Sequence, residues 1–301
     1  MKIIIVGLPY FVQKLAAELT EFDKSNQYLP LDVHHLSLDR LRYCFHLMNA
    51  DIVYSIWGQS YKYNAISLAL SLKKKAVMHW VGTDVLTAQK DAAAGRINKS
   101  LVNKAFHFTE TAWLHDELEN IGIDAEVVQF ANFKQVTYST PRKFPSTFSI
   151  LSYVRQGREK YYGIDKLIQL AGDFPNINIK IAGINKYDSL PANITLLGWI
   201  NNMDDQYDNC VLFLRIPDHD GLAFSVLEAL AHGRYVGYSC KLNNTIFIEN
   251  YDKLKNSVRD LQDTFINNQL HINQSGINFI RDNYSSDHVL ATLVVKLLSL
   301  I

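Results

Sequence analysis

The chain has 301 residues, and 30 Lys plus Arg balance 30 Asp plus Glu, so its formal net charge is zero. At about 100–200 residues per domain this length predicts two domains, and a hydrophobic fraction of 48% is too high for a disordered chain. The balanced charge argues against binding of nucleic acid by bulk electrostatics, and we expect no nucleic-acid partner. Three widely spaced cysteines favour a reducing compartment over a disulfide framework.

The sequence has no apolar run that approaches the ~18 residues needed to span a membrane. The apolar start at 1–7 favours a buried first strand over a signal peptide, because it is short and no cleavage site follows. We therefore expect a cytoplasmic protein. Lys73, Lys74 and Lys75 follow an apolar helix, which suits either peripheral contact with anionic lipid at the inner membrane face or a solvated helix cap.

The first half of the chain alternates short apolar strands with helical stretches. Strands are predicted at 3–7, 51–57, 76–81, 105–109 and 126–130, and helices at 12–19, 61–72 and 112–120. Repetition of strand, helix and strand with short turns implies a parallel sheet that is covered on both faces.

A segment with two prolines and no periodicity, 138–147, has the composition of a linker. The alternation then restarts, with strands predicted at 149–154, 178–182, 194–197, 211–216 and 235–238, and helices at 165–172, 204–208 and 224–232. The predicted fold class is α/β, with two Rossmann-like, doubly wound parallel-sheet domains at 1–137 and 148–285. Ligands of such sheets bind beyond the carboxyl ends of the strands, so we expect the site in the cleft between the domains.

The most informative stretch is 211–233, in which a strand leads through a polar loop into a helix. Asp220 and Gly221 are predicted to open that helix, and Glu228 lies about one turn inside it. Glycine lets a ligand approach the backbone closely, and the N–H groups of a helix start attract phosphate. The predicted donors to a phosphate are the backbone N–H groups of Leu222, Ala223 and Phe224.

This stretch resembles the signature of the retaining nucleotide-sugar glycosyltransferases of family 4 (group 1), which have the GT-B fold. The signature has two acids separated by seven residues, here Asp220 and Glu228. The small residues that follow are Ala229, Ala231 and Gly233. The resemblance implies that Asp220, where the family more often has Glu, contacts the donor sugar and that Glu228 holds the ribose. The alternative is an ordinary loop and helix, although a carboxylate within an apolar helix is costly when it has no partner.

A second resemblance lies in the basic loop after the first strand of the second domain. In the family this loop supplies an Arg and a Lys to the donor diphosphate, and fixed cations stabilise the charge of the leaving group. Of Arg155, Arg158 and Lys160, we expect Arg158 and Lys160 to act in catalysis. Tyr162 stands where the family usually has Lys. The alternative is a solvated charged turn.

The strand ends near Gly183 and Trp199 resemble those that flank the nucleotide base in the family. Gly183 would let the nucleotide pass close, and the backbone at Trp199 and Ile200 would face the base, although two buried strands ending in glycine fit equally well. Asp218-His219-Asp220 matches a D-x-D metal motif. Three residues match easily by chance, so we expect no metal ligands, no cofactor and metal-independent chemistry.

In the N-terminal domain the resemblance is carried by the loop after strand 76–81. In many relatives a His at such a strand end lies beside the donor sugar and the acceptor, so His79 is a predicted catalytic residue, with a structural His as the alternative. Asp84 is predicted as an acceptor-side base or a helix cap. Trp80 is predicted to cradle the acceptor or to be partial core. Gly7 is predicted on the acceptor side; the first turn usually has paired glycines in this family, and here only Gly7 is present.

These features predict a glycosyltransferase that moves a sugar from a nucleoside-diphosphate donor, such as a UDP-sugar, to a hydroxyl acceptor with retention of configuration. The resemblance implies a sugar, glycolipid or glycoprotein acceptor, a role in cell-surface polysaccharide biosynthesis, and a C-terminal helix at 286–301 that packs back on the first domain. The alternative is a non-catalytic sugar-nucleotide-binding or scaffold subunit whose short N-terminal domain lacks the acceptor site. A nicotinamide-dependent dehydrogenase is disfavoured because no G-x-G-x-x-G follows the first strand.

Overall fold

The computed structural model describes residues 1–33, 38–61, 65–130 and 143–301. Positions 138–142 of the predicted linker and 62–64 of the predicted helix at 61–72 lie outside the described residues. The chain divides into two compact units, Met1–Asn132 with Ser285–Ile301 (unit 1) and Phe133–Tyr284 (unit 2).

Unit 1 contains a six-stranded parallel sheet with helices on both faces. Its strands are β1 (Lys2–Gly7), β2 (Gln27–Pro30), β3 (Ile52–Ile56), β4 (Lys75–Trp80), β5 (Phe106–Thr109) and β6 (Glu126–Val127). Its helices are α1 (Pro9–Phe22), α2 (Leu38–Leu47), α3 (Ala65–Ser71), α4 (Thr83–Ala93), α5 (Lys99–Val102), α6 (Ala112–Glu119) and the C-terminal α12 (Ser286–Leu298). The strand order is β2-β1-β3-β4-β5-β6, and Ile4 of β1 pairs with Leu29 and Val53.

The central strands β1, β3 and β4 are mostly apolar and buried, because both faces of the sheet are covered there. One face packs Ile4, Val53 and Met78 against α2, α3 and α4. The opposite face packs Ile3 and Ile5 against α1 and α12. The residues that α12 contributes are Leu290, Leu293, Val294 and Leu297. The C-terminal helix is therefore part of the core of unit 1.

Unit 2 has the same architecture. Its strands are β7 (Ser149–Tyr153), β8 (Asn178–Ala182), β9 (Ile194–Gly198), β10 (Leu212–Arg215), β11 (Tyr235–Tyr238) and β12 (Ile246–Phe247). Its helices are α7 (Ile164–Asp173), α8 (Asp204–Asp208), α9 (Phe224–Ala231), α10 (Tyr251–Ile266) and α11 (Gln274–Tyr284). The strand order is β12-β11-β10-β7-β8-β9, so the direction of winding reverses between β7 and β10. In open sheets of this kind, ligands bind outside the carboxyl ends of the strands at this switch point.

The predicted strands and helices are present, with corrected ends. The strand predicted at 126–130 is confined to Glu126–Val127. The helix predicted at 224–232 runs from Phe224 to Ala231, so Asp220 and Gly221, which were predicted to open it, precede it. Helices α2, α4, α5, α10 and α11 and strands β2 and β12 were not predicted from the sequence. In α2 the apolar residues lie on both the buried and the exposed sides, which hides the single stripe expected of a surface helix. Among the described helices, none combines the length and apolarity needed to cross a bilayer.

Candidate functional site

Two loops at the switch point of unit 2 are bonded to each other. They follow β7 and β10, the neighbouring strands between which the winding reverses. The backbone N–H of Asp218 donates to the carbonyl of Tyr161 (2.9 Å), and the Tyr161 hydroxyl donates to the carbonyl of His219 (2.7 Å). Gly163 has a φ of 79°, and a Cβ there would lie 2.8 Å from the carbonyl oxygen of Ile216. Close packing of the two loops therefore requires glycine at this position.

An ion pair joins Arg215 and Asp220 within the second loop. Arg215 is the last residue of β10; its Nε lies 2.7 Å from Oδ2 of Asp220 and its Nη2 lies 3.1 Å from Oδ1. The guanidinium also lies over the ring of Tyr162, 4.7 Å from its centroid. Burial lowers the pKa of Arg215, but the charge and hydrogen bonds of Asp220 more than offset this, and the net pKa is raised. Arg215 is therefore charged, and it holds both oxygens of Asp220 in a two-point contact.

The sequence analysis missed Arg215, and the structure changes the role expected of Asp220. Asp220 does not project alone from the loop, because its carboxylate is held by a side chain that is only 8% exposed. A usable signal was present, since Arg215 is a charged residue at the end of the apolar run 211–214. Charged side chains are rarely buried without a partner, which points to an acid nearby.

The same contact bears on the D-x-D motif. Asp218 is exposed, whereas the Asp220 carboxylate is bound by Arg215. The two acids of the motif therefore differ in environment. Among the described residues, three side chains are spaced so that they could hold a metal ion, but they lie on α6 of unit 1 and not in this loop. They are His115, Asp116 and Glu119.

The start of α9 differs from the prediction. Its N-cap residue is Ala223, whose carbonyl accepts the N–H of Val226 (3.0 Å). Leu222 and Ala223 therefore precede the first helical residue, and their side chains are buried, with exposed fractions of 6% and 8%. The carbonyl of Gly221 accepts a hydrogen bond from the buried hydroxyl of Tyr238 (2.6 Å), which anchors the segment that enters the helix.

Glu228 lies on α9 and has a defined partner. Its Oε2 accepts a hydrogen bond from the hydroxyl of Tyr207 (2.8 Å), a residue of α8 that is 1% exposed. Burial, and next the charge of Glu228, raise the pKa of Tyr207 well above its usual value, so the phenol stays protonated and remains a donor. The bond satisfies one oxygen of a half-buried carboxylate and sets its orientation.

The basic loop after β7 holds its cations in different environments. Arg158 is half-buried, and its guanidinium lies 4.0 Å from the centroid of the Tyr161 ring, a cation–π geometry. Lys160 and Arg155 are exposed. Arg158 is therefore the basic side chain of this loop that is held against the contact between the two loops.

The strand ends proposed to flank a base have distinct structures. Trp199 follows β9, is 71% exposed, and donates its indole N–H to Oδ1 of Asn201 (2.8 Å). Ile200 beside it is half-buried. Gly183 has a φ of 95°, and a Cβ there would lie 2.4 Å from the carbonyl oxygen of Val154. Packing of the chain against itself is therefore sufficient to require glycine at 183.

In unit 1, His79 lies near the end of β4 and is fully buried. Its Nδ1 is 2.6 Å from the hydroxyl of Tyr54, and its ring packs edge-on against Phe108 and Phe130. Burial lowers the pKa of His79 to about 3, despite an opposing contribution from the backbone of Val128. His79 was predicted to contact a substrate. The structure instead supports the structural alternative, because the ring is neutral and does not reach the surface.

Trp80 and Gly7 are also parts of the packed core of unit 1. Trp80 is fully buried and donates its indole N–H to Nδ1 of His107 (3.1 Å); the core alternative is therefore correct, and a role in cradling an acceptor is not. A Cβ on Gly7, which has a φ of 119°, would lie 2.2 Å from the carbonyl oxygen of Ile56. Gly7 thus permits the close approach of β1 and β3.

Asp84 anchors the turn that begins α4. Its carboxylate accepts backbone N–H groups from Gly58 (2.7 Å), Gly82 (2.8 Å), Val81 and Val85 (both 3.1 Å). Burial raises its pKa to about 6, and these hydrogen bonds limit the rise. The residue is 1% exposed and engaged by the backbone, which favours a structural role near that of a cap over an acceptor-side base. The N-cap residue of α4 is Gly82, so Asp84 holds the helix start from within the first turn.

Comparison with known proteins identifies the fold. No protein-family model matches the sequence, and the search of curated proteins found no relative. Among solved structures, HepE of Anabaena in complex with UDP-glucose matches with a TM-score of 0.72 at 12% identity, over 99% of this chain and 100% of that one. Sucrose-phosphate synthase of Thermosynechococcus elongatus matches with a TM-score of 0.73 at 10% identity, over 100% and 99%. A glycosyltransferase of Rickettsia africae matches with a TM-score of 0.71 at 12% identity, over 97% of both chains.

These similarities, with two parallel six-stranded sheets flanked by helices, show the GT-B fold. The predicted fold class is thereby confirmed.

Proposed function

We propose that this protein is a glycosyltransferase that moves a sugar from a nucleoside-diphosphate donor, with UDP as the expected nucleotide, to a hydroxyl acceptor with retention of configuration. The observation that carries the proposal is the pair of bonded loops at the switch point of unit 2. They gather Arg158, Arg215 and Asp220 where ligands of such sheets bind. HepE, which shares the fold, was solved with UDP-glucose.

The leaving diphosphate gains negative charge, which positioned cations stabilise. Arg158 and Lys160 provide that charge from the loop after β7, and Arg158 is held in place by its stack on Tyr161. Arg215 adds a second source of positive charge, stacked on the ring of Tyr162, the position at which the resembling family usually has Lys. Each oxygen of Asp220 can accept a second hydrogen bond, so the carboxylate held by Arg215 remains able to bind a hydroxyl of the donor sugar.

We assign the nucleoside to Glu228 on α9 and to Trp199 after β9. Glu228, oriented by Tyr207, accepts the ribose hydroxyls. Trp199 offers an exposed indole face beyond β9, and aromatic faces stack on nucleobases. Backbone N–H groups of the segment from Gly221 into α9 complete the donor site. The proposed chemistry is metal-independent, since the Asp220 carboxylate is engaged by Arg215. The acceptor is a sugar, glycolipid or glycoprotein.

The second candidate is a subunit that binds a nucleotide sugar without transferring it. The burial of His79 and Trp80 favours it, because neither side chain is presented to an acceptor. The two candidates share the donor site and differ only in turnover.

Isothermal titration with UDP, GDP and ADP tests the donor site, and release of UDP from UDP-sugars tests turnover. Asp220→Asn is expected to abolish turnover in a folded protein, while the matched control Asp218→Asn, in the same loop but exposed, is expected to retain it. Activity that survives a chelator, and a product with the donor's anomeric configuration by NMR, would support the remaining parts of the mechanism. Binding without turnover would favour the second candidate, and absence of binding to every nucleoside diphosphate would reject both.

A further inference from the structure

Helix α2 of unit 1 exposes a stripe of large apolar side chains. Leu41, Phe45 and Met48 are 71%, 72% and 66% exposed. Their spacing of four and three places them on one side of the helix and the turn that follows it. The other side of α2 is buried through Tyr43 and Leu47. The helix therefore packs on the sheet by one apolar face and presents a second apolar face to the surroundings.

A further exposed apolar side chain lies in the turn after α3. Leu72 in this turn is 44% exposed, and Nζ of Lys74 donates to the carbonyl of Met48 (2.9 Å). That bond links the turn to the segment that follows α2. Single exposed apolar residues are normal, but a contiguous group of large ones marks an interaction surface. We call this surface the α2 patch; its apolar members are Leu41, Cys44, Phe45, Met48 and Leu72.

Basic side chains border the α2 patch. Arg40 and Arg42 on α2, and Lys73 in the turn, are exposed. Lys73 has a φ of 58° and occupies the left-handed position of a Schellman ending, in which the N–H of Lys74 bonds the carbonyl of Ala69 (3.0 Å). Glycine is the usual residue at such a position. Here an exposed lysine occupies it.

We infer that the α2 patch docks unit 1 on the surface of an anionic lipid bilayer. An apolar stripe bordered by Arg and Lys is the pattern of helices that lie in the membrane interface, with apolar side chains below the headgroups and basic ones among them. A second copy of the chain suits the patch less well. A two-fold contact places the same surface on both sides, which would bring the basic rim against itself. The inference goes beyond the proposed transfer reaction and does not depend on it.

The test measures binding of the full chain to vesicles by co-sedimentation. Vesicles of phosphatidylcholine and phosphatidylglycerol in equal parts are expected to bind the protein, and binding should weaken as salt is added. Vesicles of phosphatidylcholine alone should bind it poorly. Phe45→Glu is expected to weaken binding about tenfold or more, because it puts a charge in place of an exposed aromatic side chain that is proposed to enter the bilayer. The matched control Ile266→Glu changes a residue of unit 2 that is 64% exposed, and it should bind as the wild type does.

Two further measurements test the contributions of charge and of the patch surface separately. Lys73→Glu, which leaves the apolar stripe intact, should weaken binding about fivefold, while Lys253→Glu on α10 should not. Cys44 lies within the patch and is exposed, whereas burial raises the pKa of Cys210 to about 12 and that of Cys240 to about 11. Since thiolates react and thiols do not, iodoacetamide should label Cys44 first, and anionic vesicles should slow this labelling.

Three results would overturn the inference. The first is wild-type protein that does not bind anionic vesicles, or binds both vesicle types equally. The second is Phe45→Glu protein that binds as tightly as the wild type. The third is a wild-type dimer that Phe45→Glu converts to monomer without any vesicle binding, which would assign the patch to a second copy of the chain.

Discussion

Arg215 at the end of β10 and Asp220, five residues later, form a two-point ion pair with N–O distances of 2.7 and 3.1 Å. The side chains are 9% and 16% exposed, so water screens the pair poorly. The pair closes the loop that carries the proposed sugar-binding acid. The orientation of Asp220 is therefore set by the protein before any ligand arrives.

A double-mutant cycle tests this pair. Arg215→Met removes the two-point contact to Asp220 and should lower the free energy of unfolding by about 3 kcal/mol, because a poorly screened carboxylate loses this counter-charge. The double variant Arg215→Met/Asp220→Asn should lose less than the sum of the two single losses. The measurement is urea denaturation followed by a probe in unit 2.

The control is the pair Arg281–Asp282, whose side chains are 49% and 60% exposed. Its coupling energy should stay below about 1 kcal/mol, as for other exposed pairs. Equal coupling energies for the two pairs would show that the Arg215–Asp220 contact has no special role.

Glu228 is predicted to recognise the ribose through a charged hydrogen bond. Removing such a bond costs about 1.5–3 kcal/mol, so Glu228→Gln should weaken UDP binding about tenfold or more. The wild type should bind UDP more tightly than 2′,3′-dideoxy-UDP, and this preference should disappear in Glu228→Ala. Calorimetry measures both ligands. If Glu228→Ala keeps the preference, the ribose is held elsewhere.

Asp84 is predicted to stabilise unit 1 by holding the turn before α4. Asp84→Ala removes the acceptor of backbone donors that are buried with it, including Gly58 and Gly82. Each unsatisfied buried donor is costly, and we expect a loss of about 3 kcal/mol or more in the free energy of unfolding. Glu126→Ala, at an exposed residue of the same unit, is the control and should change it little. Asp84→Ala protein with unchanged stability would contradict the capping role.

The titration of His79 gives a pH dependence to unit 1. Its pKa is lowered to about 3 in the fold from a usual 6.5, so between these values the unfolded chain binds a proton that the folded chain does not. The contribution of neutral His79 is therefore present above pH 6.5 and is lost as the pH falls toward 3. Asp84, raised to about 6 from 3.8, acts in the opposite sense: its contribution is present below pH 3.8 and lost as the pH rises through 6.

Comparison with His79→Gln separates the two effects, because Asp84 is common to both proteins. The stability advantage of the wild type over His79→Gln should shrink as the pH falls from neutral to 4. Denaturant unfolding at a series of pH values measures it. An advantage that is constant over this range would show that His79 titrates normally and is not enclosed.

The pattern of short apolar strands and intervening helices was sufficient to predict two parallel sheets and the position of the candidate donor loop. This works because a strand buried on both faces is apolar at every position, a property that can be read along the chain. Helix α2 was not predicted, because its apolar residues do not follow its burial. Its exposed apolar face obscures the period, and exposure of Phe45 is not a local property of the sequence.

The sequence by itself determined the fold class and the place of Glu228 within a helix, because periodicity and spacing are local. Only the tertiary structure decided what those acids and their neighbours contact. Asp220 is bound by Arg215, Glu228 by Tyr207 from another helix, and His79 is enclosed by Tyr54 and Phe130. Burial and hydrogen-bond partners depend on segments that meet only after the chain has folded, and these determine whether a polar side chain is a free ligand group or part of the frame.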